Sequence, residues 1–243
     1  MQEVHFEDLG VIGYKSAWDY QEKILHTQLA VKAARRDRES GNSSPEPALM
    51  DTQHLFLLCE HPPVYTLGKS GHTENILVSE DYLLKKGIEF YRTNRGGDIT
   101  FHGPGQIVGY PIMDLEKYDT DIGKYLRNLE EVIILTLRHY GIKGERSKGE
   151  TGVWIDPAVS GRERKICAIG VRCSRWVTMH GFALNVNTPL DYFNYIIPCG
   201  IAGKQVTSME KELGYHPGIT SVKETLKACF AEVFDCTFID QGK

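Results

Sequence analysis

Apolar residues follow two rhythms along the chain. Ile122, Leu126, Leu129, Ile133, Leu137 and Tyr140 recur at spacings of three and four beside a charged opposite face. That predicts a helix from Asp119 or Thr120 to Gly141, lying over a sheet. A second helix is expected from about Tyr14 to Arg36, with Ala17, Tyr20, Ile24 and Val31 on one face, Leu25 nearby, and basic residues opposite. Ser221-Val-Lys-Glu224 has capping-box spacing and opens a third, with Val222, Leu226, Cys229, Phe230 and Val233 as its core face. Ser79 caps a short fourth over Glu80–Lys86, with Gly87 just past its end.

The unbroken run Leu55–Cys59 predicts a buried strand, and shorter or alternating runs predict strands near 3–13, 64–68, 88–93, 107–113, 151–155, 165–172 and 176–187. Serine, glycine and proline crowd residues 39–47, so 37–48 is expected to be a mobile surface loop. Residues 191–197 form a short aromatic segment before Pro198-Cys199-Gly200. Strands and helices mix with hairpins instead of alternating strictly. The expected fold class is therefore α/β (α+β-like), a mixed, largely antiparallel sheet flanked by helices. One domain over 1–243 is the economical organisation; a small C-terminal lobe from about residue 202 is the alternative.

Composition narrows the function. The 243 residues are 41% hydrophobic and 25% charged with a formal charge of −4, which argues against nucleic acid as the main partner. No apolar run reaches the length of a membrane span, and the N-terminus lacks the basic start and apolar core of a secretory signal. The six cysteines form no C-x-x-C pair and read as cytosolic thiols. Residues 142–175 carry eight Lys/Arg against four Asp/Glu, either a steering surface for an acidic partner or a scatter of solvated strand ends.

The densest cluster of unusual residues is Arg95–Gln106, with four glycines, a proline, an arginine and a histidine in twelve positions. It reads as a tight hairpin or as a close-fitting ligand loop. Cys199, between proline and glycine, is a candidate nucleophile if nearby positive charge favours its thiolate. Lys165 starts an apolar strand and points either into a cleft or to solvent. Cys167 and Cys173 are rival thiols, and simple alternation places Cys167 on the face of Lys165. His61, His72, His102 and His180 match no zinc spacing. No Walker A, G-x-G-x-x-G or G-x-S-x-G motif occurs.

RGGDITFHGPGQ, RKICAIGVR, HGFALN and PCGI, in this order, resemble the octanoyl-[acyl-carrier-protein]:protein N-octanoyltransferases, over about residues 4–234. The resemblance implies a biotin/lipoate ligase-like catalytic domain. It implies transfer of an octanoyl group from octanoyl-acyl-carrier protein, through a cysteine thioester, to the lysine of a lipoyl domain. Acceptors would be lipoyl domains of 2-oxoacid dehydrogenase complexes and the glycine cleavage H protein. No cofactor, metal or membrane is implied, and the location is cytoplasmic. By position in the motifs, Cys199 would be the nucleophile and Lys165 the group that lowers its pKa and moves protons. Substrate contacts carry over to Arg95, Gly96, Gly97, Asp98, Ile99, Thr100, Phe101 and His102. Further contacts carry over to Ala168, Ile169 and Gly170, and to Gly181, Phe182 and Ala183.

Glycines 96, 97, 103 and 105 are expected to line an eight-carbon slot, and His102 is the one loop residue that could carry a proton. Cys167 departs from the resemblance, standing where a small residue such as alanine is usual. The alternatives are an ATP-dependent lipoate or biotin ligase of the same fold, and a non-catalytic module binding carrier protein or lipoyl domains.

Overall fold

The computed structural model describes residues 1–40, 51–197 and 205–240. β1 (Gln2–Val11) leads into α1 (Tyr14–Glu39), followed by β2 (His54–Glu60), β3 (Val64–Leu67), α2 (Glu80–Lys85), β4 (Glu89–Arg92), β5 (Ile99–His102) and β6 (Gln106–Ile112). Next come α3 (Ile122–His139), the short β7 (Glu145–Arg146) and β8 (Val153–Ile155), and the long β9 (Arg164–Ser174) and β10 (Val177–Asn185). The chain finishes with β11 (Gln205–Val206), α4 (Met209–Leu213), α5 (Ile219–Phe234) and β12 (Cys236–Asp240).

The main sheet runs β12-β1-β2-β6-β10-β9-β8-β7, with β11 joined to β9 off that path. β12, β1 and β2 are parallel, β11 is parallel to β9, and the remaining pairs are antiparallel. A second sheet holds β4-β3-β5. The mixed, largely antiparallel architecture agrees with the sequence pattern. No helix among the described residues is long and apolar enough to cross a membrane.

The main sheet has a core on each face. On one, Leu129, Ile133 and Leu137 of α3 and Val222, Leu226 and Phe230 of α5 pack on Phe56, Ile107 and Leu184. Phe56 and Phe230 stack at 4.2 Å. On the other, Ala17, Ile24 and Leu25 of α1 cover Leu57, Val108 and Ala183. A third cluster closes the small sheet around Tyr65, Phe101 and Leu83.

Several boundaries move for local reasons. Three consecutive residues could cap α3, and Asp121 does so by accepting from Lys124 N, so the helix starts at Ile122 and that residue stays 37% exposed. α5 starts two residues ahead of the expected box, behind Gly218, and Ser221 makes no cap; its carbonyl accepts from Thr225. α1 continues through Asp37–Glu39, with Arg35 reaching Glu39 one turn on, so the first residues of the expected loop are helical. The rest of that loop, 41–48, lies outside the described residues.

The buried face of α1 is also more polar than its apolar residues suggest. Gln21, Gln28 and Lys32 lie on it. Gln21 accepts from His180 N, Gln28 accepts from Gln53 N, and Lys32 Nζ lies 2.6 Å from Asp114 Oδ1. α5 packs on α3 and β12 pairs with β1, so the C-terminal elements join the main sheet and its helical cover.

The glycine-rich stretch is not a hairpin. β5 pairs with β3 in the small sheet, whereas β6 sits between β2 and β10 in the large one. Residues 103–105 therefore carry the chain from one sheet to the other. Gly105 (φ +76°) lies so near Asn187 that a Cβ would meet its backbone at 2.7 Å. Its N–H donates to Glu60 and its carbonyl accepts from Val186 and Asn187.

Candidate active site

The site begins with an irregularity in β9. Val153 pairs with Cys167, but the next residue of β8, Trp154, pairs with Lys165. Ile166 is the extra residue of a bulge, and a bulge re-aims the side chains beside it. Ile166 and Cys167 both enter the α3/α5 core at 0% exposure. Lys165 instead lines a cavity on the α1 side of the sheet, its Nζ 4.6 Å from the ring centroid of Trp154. The alternation that would put Cys167 and Lys165 on one face is thus broken by one residue. Burial pushes the Cys167 thiol up, which leaves it a protonated core group.

The cavity has a volume of about 80 Å³. One wall is the sheet: Ala168 and Gly170 of β9, Ala183 and Asn185 of β10, and Val108 and Tyr110 of β6. Ala168, Ala183 and Val108 form one row across three strands. Ile169, Gly181 and Phe182 also border it, and Ile169 and Phe182 join the α3/α5 core as well. The facing wall is the loop from Arg95 through Gly97, Asp98 and Ile99 to Thr100, with His102 beside it. Tyr14, Gln106, His180, Phe193 and Val206 complete it, and Val206 is the register partner of Lys165.

This loop is tied down by its own polar groups. Arg95, 8% exposed, donates from Nη2 to the carbonyl and hydroxyl of Thr66 at 2.6 and 2.9 Å, and from Nη1 to Gly96 O. Gly96 N donates to Val171 O at 2.9 Å. A Cβ on Gly170 would lie 2.6 Å from Gly96 O, so glycine is what lets loop and strand touch. Asp98 accepts from Ile99 N and Asn75 Nδ2.

Two expected contacts stand behind the wall. Gly96 spends its backbone on β9, and the Phe101 ring stacks on Tyr192 at 4.5 Å within the small-sheet core. Of glycines 96, 97, 103 and 105, Gly97 lines the cavity. Gly103 lies against the Phe101 ring and Gly105 against Asn187.

His102 is held as a strut by hydrogen bonds on both ring nitrogens. The Gln106 amide donates to Phe101 O and Asn185 Oδ1, so its Oε1 must accept from His102 Nδ1 at 2.8 Å. His102 Nε2 then accepts from Thr66 Oγ1 at 3.2 Å. Tyr14 stacks on the imidazole at 5.7 Å. Burial, then the neighbouring His61 and Arg95, hold His102 well below the ordinary histidine range. It stays neutral with both nitrogens engaged.

His61 is likewise fixed. Its Nδ1 donates to Ile12 O at 2.7 Å and its Nε2 accepts from Tyr110 OH at 2.7 Å, with burial holding it down to about 4. His180, at φ +59°, has Nε2 2.6 Å from Asn94 Oδ1, and burial holds it to about 3. These imidazoles brace the cavity.

The basic segment is largely neutralised where it stands. Arg146 pairs with Glu130 and Glu131, Arg164 with Asp156 and Glu212, Arg172 with Glu22, and Lys143 with Glu145. Cys173 lies on β9 near its turn into β10, away from the cavity walls. Cys199 lies outside the described residues. Sequence reasoning missed Tyr14, Tyr110, Asn185, Phe193 and Val206, which pattern alone assigns to helix, strand or loop with no local mark of a site.

Residues 17–231 match the family model of the lipoyl protein ligase A/B catalytic domain. The chain is 55% identical to an octanoyltransferase of Flavobacterium psychrophilum, over 97% of this chain and 98% of that one. It is 56% identical to an octanoyltransferase of Christiangramia forsetii, over 96% of each. Its fold is similar to that of a bipartite lipoate protein ligase from Thermoplasma acidophilum, solved with its E2 lipoyl domain: TM-score 0.69 at 18% identity, over 99% of this chain and 87% of that one. The chain belongs to the lipoyl protein ligase A/B catalytic domain family and, within it, to the octanoyltransferases.

Proposed function

We propose that this octanoyltransferase works through an acyl-thioester on Cys199, with Lys165 as its acid–base partner. The observation that carries the reading is the placement of the flanks of 198–204. Phe193 before that segment and Val206 after it both line the cavity into which the bulge turns Lys165. The cavity walls are mostly apolar, as an alkyl chain requires.

In the first half-reaction Lys165 takes the thiol proton. The Cys199 thiolate attacks the octanoyl thioester of the carrier protein. A new carbon–sulfur bond forms at Cys199 and the donor's carbon–sulfur bond breaks; the departing thiolate receives the proton from the Lys165 ammonium. In the second, the amine of a lipoyl-domain lysine attacks the acyl-cysteine. A carbon–nitrogen bond forms, the Cys199 thiolate leaves, and the neutral Lys165 amine accepts the proton lost from nitrogen. Exchange of thioesters is near balance, and conversion of thioester to amide runs downhill without ATP.

The donor is octanoyl-acyl-carrier protein, and the acceptors are lipoyl domains of 2-oxoacid dehydrogenase complexes and the glycine cleavage H protein. Free thiols at the five described cysteines suit a reducing, cytoplasmic setting. Incubation with octanoyl-acyl-carrier protein should leave one octanoyl group on the peptide containing Cys199, and Cys199→Ser should abolish transfer. Normal transfer by that variant would sink the mechanism. Dependence on ATP would move the protein to the ligases of the same fold.

A further inference from the structure

Trp154 is the middle residue of β8, and its neighbours Val153 and Ile155 enter the α3/α5 core. The indole points the other way. It is 2% exposed, yet it belongs to none of the three apolar clusters formed by the described residues. Its partner across the ladder is Lys165, brought to the same face by the bulge at Ile166, and the ammonium lies 4.6 Å from the ring centroid. That is within the range at which the negative face of an aromatic ring attracts a cation, and tryptophan is the strongest such ring.

We infer that Trp154 is a positioning residue for transfer, holding the Lys165 ammonium against the cavity wall. This rests on Lys165 being the acid–base partner of the reaction. The attraction acts on a cation and fades for a neutral amine. The indole therefore holds the side chain while it is charged and the attacking thiolate needs a neighbouring positive charge. It loosens its hold when the amine is neutral and must reach the incoming lysine nitrogen. A lysine has four rotatable bonds and loses much freedom when held still; the indole face fixes its end without consuming any of its three donor hydrogens. The seat is built into the fold by the ladder pairing that the bulge sets.

The test uses the full chain, octanoyl-acyl-carrier protein and a lipoyl domain. It compares Trp154→Leu, Trp154→Phe and Lys165→Met, reading transfer and the rate of thiol alkylation at Cys199 from neutral to alkaline pH. Trp154→Leu should lower kcat/KM about tenfold, a loss within the span of a desolvated cation–π contact, and displace the alkylation profile to higher pH. Trp154→Phe, which keeps an aromatic face, should restore most of both. Equal losses in the two variants with an unmoved alkylation profile would reduce Trp154 to packing and overturn the inference.

If the leucine variant does not fold, mono-, di- and trifluorotryptophan placed at position 154 keep the ring's shape while draining its face of electron density. Transfer should then fall stepwise with fluorine number, and a flat series overturns the inference. Unimpaired transfer by Lys165→Met would instead remove the acid–base role itself, so the two failures are distinguishable.

Discussion

His102 Nδ1 donates a hydrogen bond to Gln106 Oε1 at 2.8 Å, and the amide of the same glutamine reaches Asn185 on the neighbouring strand at 2.9 Å. The chain of bonds starts at Arg95 and Thr66 and ends where Asn185 donates to Thr207 O. It thus spans both cavity walls. His102→Asn should cost about 1–3 kcal/mol, the usual range for leaving a buried partner unsatisfied. Urea unfolding measures that loss. The variant's kcat/KM should keep the shape of its pH profile, whereas a proton carrier's removal would delete one limb.

Acid should unfold the protein through its buried histidines. His61 falls from 6.5 to about 4 on folding and His180 from 6.5 to about 3, both because burial disfavours the charged ring. The unfolded chain therefore binds more protons than the folded one below about 6.5. Stability is fully present above that pH and falls with pH until each folded-state value is passed. For His61 the window contributes about 3 kcal/mol. Melting temperatures measured across the range should drop steeply on the acid side. A flat profile between pH 6.5 and 4 would contradict the burial of these rings in neutral form.

Ala168 and Ala183 face each other across β9 and β10 in the cavity wall. A larger side chain in that row takes space from the acyl chain. Ala183→Leu should lower octanoyl transfer more than tenfold while sparing a shorter acyl donor, since overpacking at a fixed wall has little room to relax. Parallel assays with octanoyl and butyryl carrier protein give the ratio. Equal loss on both donors would place the chain elsewhere.

Cys167 should be dispensable for chemistry. Its thiol is fully buried on the core face and pushed up by that burial. Cys167→Ala should transfer octanoyl at the parent rate and lose about 1 kcal/mol of stability to the small void. Intact-mass analysis under native conditions should show no alkylation at Cys167 in the parent.

α3 was legible because six apolar residues at three–four spacing admit only one periodicity, and only its cap needed the structure. The four motifs likewise pointed to the family, and the cavity gathers residues from three of them. The bulge at Ile166 was not legible. Whether β9 carries an extra residue depends on the pairing of Trp154, a tertiary fact with no mark in RKICAIGVR. The hairpin reading of Arg95–Gln106 failed for the same reason, since β5 and β6 are consecutive in sequence but belong to different sheets. The sequence pattern places Lys32 on the outer face with the other basic residues of α1, and its burial was not legible because its partner Asp114, like the partners His180 and Gln53 of Gln21 and Gln28, is distant in sequence.

The parallel pairing of Gln2–Phe6 with Cys236–Asp240 joins residues almost a full chain length apart. Contacts of that separation are slow to form because a long loop must close before they gain anything. During synthesis β1 can pair with β2 on one side, but its other side stays an open strand edge until residue 240 has emerged. An unpaired edge is a template for strands of other chains. The last strand is therefore a late seal against aggregation, and a chain cut before Cys236 should reach the insoluble fraction although every cavity residue it needs has already been made.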